Sequence, residues 1–292
     1  MADGTARRVG PNEAIPSPAS TGLNDGPTPL APSVYSLDIV RRAWICIVSM
    51  VIAACSSAGS EGQPTAGRGV DAGSTAATDS SVVAIVSPNG DPTYVCSAEV
   101  IGPRTILSAG HCFKGGNYDK TGWSFEVFLG NDDHAPASSD RRVRITSFRL
   151  HPDYLADIPR ADGSDADIAV AFVDEDLGVT PLPFNATSLP AHLEGTSGRY
   201  VGFGSNAVSE KGIRHAEAAR IVDVSPLVVS MTAGRIPCHG DSGGPLFLSL
   251  GGVETIVGIG HTSNVDDGGN CVVGADYTRT DLFADFVNAA LN

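Results

Sequence analysis

The stretch Cys238–Pro245, with the sequence Cys-His-Gly-Asp-Ser-Gly-Gly-Pro, constrains the fold of this chain more than any other segment. Gly240 and Gly243 tolerate backbone angles that other residues avoid, so the chain is able to turn sharply and expose the hydroxyl of Ser242. Such a turn would aim the backbone N–H groups of Gly240 and Ser242 at one point, where they stabilise a developing oxyanion. A glycine-rich surface turn is the alternative interpretation of this motif.

The composition favours strands joined by turns and argues against a nucleic-acid-binding surface. The 292 residues include 34 glycines and 19 prolines, and few stretches have a helical apolar period. The formal net charge is −14, and the 19 lysines and arginines form no visible basic patch in the sequence. The length allows one large all-β domain or two small ones.

The amino-terminal part of the chain is typical of an exported protein. Residues 1–39 are rich in Pro, Gly, Ser and Thr, and we expect a disordered or mis-annotated leader. Residues 40–55 look like a signal peptide, because two arginines precede twelve uncharged residues that are too few to span a bilayer. The ending Ile52–Cys55 resembles the lipobox of bacterial lipoproteins, which predicts lipidation of Cys55 and membrane attachment at the cell envelope. An ordinary secretory signal is the alternative.

A flexible tether or a short propeptide follows over residues 56–69, where small polar residues show no apolar period. The pattern then changes to strands. Val82–Val86 is a β-branched run that ends at the turn Ser87–Gly90, and Tyr94–Ile101 is its expected hairpin partner.

Three motifs, in order, resemble the chymotrypsin/trypsin-like serine protease family. Leu107–Cys112, which reads Leu-Ser-Ala-Gly-His-Cys, is similar to the strand end that carries the family's catalytic histidine. Phe148–Tyr154 resembles the stretch leading to the catalytic aspartate, and Asp167 directly precedes an apolar run as that aspartate does. Cys238–Pro245 supplies the serine. The resemblance covers residues 70–292.

The resemblance implies an all-β fold of two six-stranded antiparallel Greek-key β-barrels with a C-terminal helix. We expect the barrels at about 70–180 and 181–279, and the helix over 280–291, where apolar residues recur at helical spacing.

The resemblance also implies a catalytic triad of His111, Asp167 and Ser242. Asp162 and Asp165 are the other acidic candidates, and we expect them in a solvated turn. A serine hydroxyl is a poor nucleophile at neutral pH and needs a base, for which the pKa of histidine is suited. The predicted reaction is acyl transfer to Ser242 and hydrolysis of the acyl-enzyme, with protein or peptide substrates and no cofactor or metal.

In the family, the cysteine after the catalytic histidine pairs with one on the preceding strand, and Cys96 stands at the matching place for Cys112. The family likewise has an equivalent of a Cys238–Cys271 pair beside the substrate pocket. An even number of cysteines in an exported domain supports disulfides rather than free thiols.

The resemblance further suggests a substrate pocket with an apolar floor at Ile236 and open walls, so that cleavage follows apolar residues. Preference for glutamate through His239 or His261 is the alternative. The pocket residues implied by the alignment are Ile236, Gly258, Ile259, Gly260 and Ala275.

Family zymogens mature when a new amino terminus pairs with the acid before the serine. Cleavage between Gly69 and Val70 would allow an ion pair between Val70 and Asp241. We expect a monomeric, active peptidase, and the alternative is a protease-like binding or adhesion module that has lost catalysis.

Overall fold

The computed structural model describes residues 79–116, 118–154, 166–190, 192–205, 210–266 and 270–292. The expected leader, signal peptide and tether lie outside these residues, as do Cys55 and Val70. Within the described part of the chain, no helix is long and apolar enough to cross a membrane.

The described residues form twelve strands, which are β1 Val82–Val86, β2 Val95–Gly102, β3 Thr105–Ser108, β4 Glu126–Leu129, β5 Arg141–Leu150, β6 Ala169–Val173, β7 Ser197–Gly202, β8 His215–Val224, β9 Val228–Ala233, β10 Pro245–Leu250, β11 Val253–Val265 and β12 Cys271–Arg279. They close into two six-stranded antiparallel barrels, which confirms the predicted fold class. The order around the first barrel is β1, β2, β3, β6, β5, β4, and around the second it is β10, β11, β12, β9, β8, β7.

The sequence of each strand matches its place in the barrel. β1 consists of β-branched and small apolar residues and is buried throughout. β5 instead buries Val143 and Ile145 and exposes the arginines beside them, since successive side chains of a strand point to opposite faces.

The carboxyl-terminal helix is shorter than the predicted range of 280–291. A 3₁₀ turn covers Asp281–Phe283 and α1 covers Ala284–Asn288. Val287 is fully buried in the core of the first barrel, whereas Leu282 and Leu291 are 45% and 41% exposed. The apolar face of this segment is therefore narrower than the periodicity of the sequence indicates.

Contacts between the barrels are both apolar and polar. Phe128 of the first barrel packs edge to face against Phe203 of the second, with ring centroids 6.4 Å apart. The backbone N–H of Arg214 donates to the carbonyl oxygen of Asn131 across the same junction, at 2.8 Å.

Glu99 is a fully buried acid in the middle of β2. Its backbone lies between Val82 and Leu107 in the sheet. Neither carboxylate oxygen has a hydrogen-bond partner among the described residues. Burial raises the pKa of Glu99 well above its usual range, so the folded chain holds this side chain in its neutral form.

We expect Glu99→Gln to stabilise the fold, and to do so more at about pH 8 than at about pH 5. The folded wild type keeps a proton that the unfolded chain releases, so the free energy of unfolding falls as pH rises toward the raised pKa, by about 1.4 kcal/mol per pH unit. Thermal melting across this pH range measures the effect. Glu175→Gln, which removes an exposed carboxylate 3.1 Å from Arg141, is the matched control. A stability gain that does not depend on pH would contradict the expectation.

Candidate active site

His111 lies immediately after β3, where the chain leaves the first barrel in a 3₁₀ turn over Gly110–Cys112. A disulfide from Cys112 to Cys96 ties this turn to β2. Gly110 allows a close approach, because a Cβ atom there would lie 3.1 Å from the Asp167 Oδ1 atom. The local sequence therefore holds the histidine against the acid.

Asp167 lies two residues before the start of β6 and makes two contacts with His111. The Nδ1 atom of His111 is 2.6 Å from Asp167 Oδ2, and the backbone N–H of His111 donates to Asp167 Oδ1 at 2.8 Å. Burial by itself raises the pKa of Asp167, but attraction and hydrogen bonds from His111 outweigh it and the pKa is lowered. An ionised carboxylate accepts the Nδ1 proton, which leaves Nε2 of His111 as a proton acceptor.

His261, on β11, is a second imidazole beside the same carboxylate. Its Nε2 atom lies 3.5 Å from Asp167 Oδ2, and its side chain is 12% exposed. The attraction of His261 also lowers the pKa of Asp167, although less than that of His111. The sequence analysis places this residue only at the border of the cleft and does not anticipate its contact with Asp167.

Lys120 supports the His111 turn and is absent from the sequence-based predictions. Its Nζ atom donates to the carbonyl oxygens of His111 at 3.0 Å and Gly115 at 2.6 Å. The ammonium also lies over the rings of Tyr94 and Tyr118. Burial lowers the pKa of Lys120 to about 8, although Asp167 opposes this shift. A lysine in a polar loop gives no sequence signal of such contacts.

Ser242 occupies the turn between β9 and β10, in the glycine-rich motif. Gly240 and Gly243 have φ angles of 107° and 81°, in the region that favours glycine. Neither the N–H of Gly240 nor that of Ser242 donates a hydrogen bond within the described part of the chain. The two donors that the sequence analysis assigns to an oxyanion are therefore not engaged by other described groups.

Ser97, on β2, holds this turn from the other barrel. Its backbone N–H donates to the carbonyl oxygen of Ser242 at 2.8 Å, and its hydroxyl donates to the carbonyl oxygen of Gly240 at 2.8 Å. The same hydroxyl accepts from the N–H of Phe203 at 2.9 Å. A second disulfide, Cys238–Cys271, connects the start of the turn to β12.

A cleft of about 1390 Å³ brings His111, Asp167 and Ser242 together. The expected pocket residues Gly260 and Ala275 also line it. His239 and His261 contribute to the same lining, at the border where the sequence analysis expects them.

Two of the expected pocket residues lie elsewhere, and here the structure corrects the alignment. Gly258 and Ile259 pair with β10 inside the second barrel, and Ile259 is fully buried in the core. β11 contributes to the cleft only from Gly260 onward, through His261 and Ser263. Ile236 is half-buried and precedes the cleft residues Pro237 and Cys238, and its place at the pocket floor stays a prediction.

Asp241, expected to pair with Val70, is buried beneath the serine turn. Its carboxylate accepts from the N–H groups of Gly204 at 2.8 Å and Cys238 at 2.9 Å. Val70 lies outside the described residues, as do the alternative acids Asp162 and Asp165.

The sequence profile described as Trypsin matches residues 70–287. Spermosin from Halocynthia roretzi is 28% identical over 57% of this chain and 47% of its own length. Chymotrypsin from Phaedon cochleariae is 25% identical over 56% of this chain and 63% of its own length. Brachyurin from Leptuca pugilator is 23% identical over 53% of this chain and 72% of its own length. The chain thus spans about half of spermosin and less than two thirds of that chymotrypsin.

Ser97→Ala should destabilise the fold by about 1–3 kcal/mol, because it leaves the N–H of Phe203 and the carbonyl of Gly240 buried without their partner. Chemical denaturation of both proteins measures the change in the free energy of unfolding. Ser249→Ala, at an exposed position on β10, is the control and should change it by about 0.5 kcal/mol or less. Equal effects of the two substitutions would show that the Ser97 hydroxyl adds no stability.

Proposed function

Because the chain belongs to the trypsin family, we propose that it is a serine endopeptidase that hydrolyses peptide bonds through an acyl-enzyme on Ser242. The observation that carries the proposal is the paired His111 and Asp167 in the same cleft as Ser242. The unengaged N–H groups of Gly240 and Ser242 support it further.

The proposed reaction assigns each group one task. Nε2 of His111 takes the hydroxyl proton as Ser242 attacks the scissile carbonyl carbon, and later gives that proton to the leaving amine. Asp167 keeps the Nδ1 proton in place and stabilises the imidazolium. The N–H groups of Gly240 and Ser242 bind the oxyanion, and water then attacks the acyl-enzyme by the reverse sequence.

Two disulfides in the described domain are consistent with an extracellular protein. Lipidation of Cys55 and cleavage before Val70 stay predictions, as does the monomeric state. The second candidate function is a protease-like binding or adhesion module, which has the same fold but does not hydrolyse peptide bonds.

A fluorophosphonate probe should label the wild-type protein at Ser242, and Ser242→Ala should abolish the label. Asp167→Asn should lower kcat by about 10⁴-fold, since it leaves His111 in the wrong tautomer. Ser249→Ala is the matched serine control and should label as the wild type does. A correctly folded wild type that takes no label would favour the binding module.

The cleft walls support the expected preference for an apolar residue on the acyl side of the cut. Ala275 and Ser263 face each other across β11 and β12, and both are small residues that line the cleft. Asp276 lines the same region, but its Oδ1 atom accepts from the hydroxyl of Ser230 at 2.6 Å. That hydrogen bond engages one oxygen of Asp276 and leaves its charge in place, so preference for a basic side chain is the competing outcome that a substrate library tests.

A peptide library should therefore be cut mainly after medium or large apolar residues. Ala275→Val should reduce kcat/KM for phenylalanyl substrates relative to alanyl substrates by about tenfold or more, because two added methyl groups narrow the pocket. Dominant cleavage after Lys or Arg would instead indicate that Asp276 selects the substrate, and cleavage after Glu would indicate His239 or His261.

A further inference from the structure

Asp241 presents an electrostatic problem that the proposed reaction does not explain. Its side chain is 3% exposed, and the two N–H groups that bind it, from Gly204 and Cys238, are neutral. The close approach to Gly204 is possible because that residue lacks a Cβ atom, which would lie 2.3 Å from Asp241 Oδ2. A carboxylate buried to this degree is costly unless a cation accompanies it.

His215, the first residue of β8, supplies the cation. Its Nε2 atom lies 3.4 Å from Asp241 Oδ1, and its side chain is 7% exposed. Its Nδ1 atom faces the carbonyl oxygen of Ile213 at 3.4 Å. The carbonyl oxygen only accepts hydrogen bonds, so Nδ1 carries a proton, and a second proton on Nε2 makes the ring an imidazolium that faces the Asp241 carboxylate at ion-pair distance.

The charged groups around His215 agree with this assignment. Glu217 lies two residues further along β8 and is already paired with the guanidinium of Arg235. Tyr200 packs edge to face on the imidazole, with ring centroids 5.7 Å apart. The guanidinium of Arg214 donates to a carbonyl oxygen of the first barrel and stays apart from Asp241.

The balance of these neighbours favours the protonated ring. Burial lowers the pKa of His215, but the attraction of the nearby Asp241 carboxylate, together with the Ile213 carbonyl, outweighs it and the net shift is upward. Of the residues that the structure describes, no lysine or arginine forms an ion pair with Asp241.

We propose that His215 is a positioning residue that neutralises Asp241 from within the second barrel, so that the turn carrying Gly240 and Ser242 forms without a charged amino terminus at Val70. The inference rests on the proposed peptidase function and deepens it, because it concerns how the oxyanion donors are held. The Asp241 carboxylate accepts hydrogen bonds from the N–H groups of both Cys238 and Gly204. The positive charge of His215 compensates the negative charge of that carboxylate.

The pair has a defined pH dependence. The pKa of His215 in the folded chain lies above its unfolded value, so its stabilisation is complete below about pH 6.5 and is lost as pH rises through the raised pKa. Loss of the His215 charge at high pH should therefore give kcat/KM an alkaline limb.

Nuclear magnetic resonance of ¹⁵N-histidine-labelled protein tests the ion pair without requiring activity. His215 should titrate above the ordinary histidine value of about 6.5, with both nitrogens protonated at pH 6. Asp241→Asn should bring that titration down. A neutral His215 at pH 6, or a titration that Asp241→Asn leaves in place, would overturn the proposal.

Kinetics on two variants test the positioning role. His215→Gln should lower kcat by about 10²-fold and abolish the alkaline limb, because the oxyanion donors lose their support. His215→Lys, which keeps a cation, should recover part of the rate and move the alkaline limb to higher pH. His151→Gln, which removes a histidine packed on Phe283, is the control and should leave the pH profile unchanged. If His215→Gln has the same kcat and the same alkaline limb as the wild type, His215 is not a positioning residue.

Amino-terminal sequencing of probe-labelled protein separates His215 from Val70 as the partner of Asp241. Labelled chains that retain residues before Val70 support the internal cation, and labelling confined to chains beginning at Val70 contradicts it. If the wild type takes no label at all, the peptidase proposal fails, and the resonance experiment still decides the His215–Asp241 pair.

Discussion

Hydrogen bonds from one buried serine, Ser97, join the two barrels at the site, and the geometry of the site depends on that junction. His111 and Asp167 belong to the first barrel, while Ser242 belongs to the second. Ser97 binds the backbone on both sides of Asp241, through the carbonyls of Gly240 and Ser242. A hydroxyl in this place does what apolar packing alone cannot, because hydrogen bonds fix direction as well as distance. Chemistry that needs groups from both barrels requires such a directional link.

The motifs of the sequence are sufficient for the architecture and for the disulfide framework. Composition indicates strands joined by turns, and the family resemblance of the motifs around His111 and Ser242 implies two antiparallel barrels, which the structure contains. The pairs Cys96–Cys112 and Cys238–Cys271 are also present. These features are local or are carried by family resemblance, so one sequence is enough to predict them.

The sequence cannot specify the register of β11 or the contacts between distant side chains. Within β11, the run Ile256–Gly260 contains only apolar residues and glycine, and nothing in that pattern indicates which residue first reaches the cleft. The alignment therefore assigns Gly258 and Ile259 to a wall that His261 and Ser263 form. Lys120 is missed for a related reason, since its bonds to the His111 turn depend on the path of a loop.

Two buried carboxylates organise the site, and each is held in the same way. Asp167 accepts one backbone N–H and faces an imidazole at 2.6 Å, while Asp241 accepts two and faces an imidazole at 3.4 Å. The difference lies in the far nitrogen of each ring. His111 lines the cleft, and in the proposed reaction its Nε2 atom exchanges a proton with Ser242, whereas Nδ1 of His215 meets a carbonyl oxygen and must keep its proton. An aspartate–histidine pair thus gives a proton acceptor at His111 in the first barrel and a cation at His215 in the second. The groups that surround each imidazole determine which of its nitrogens carry a proton.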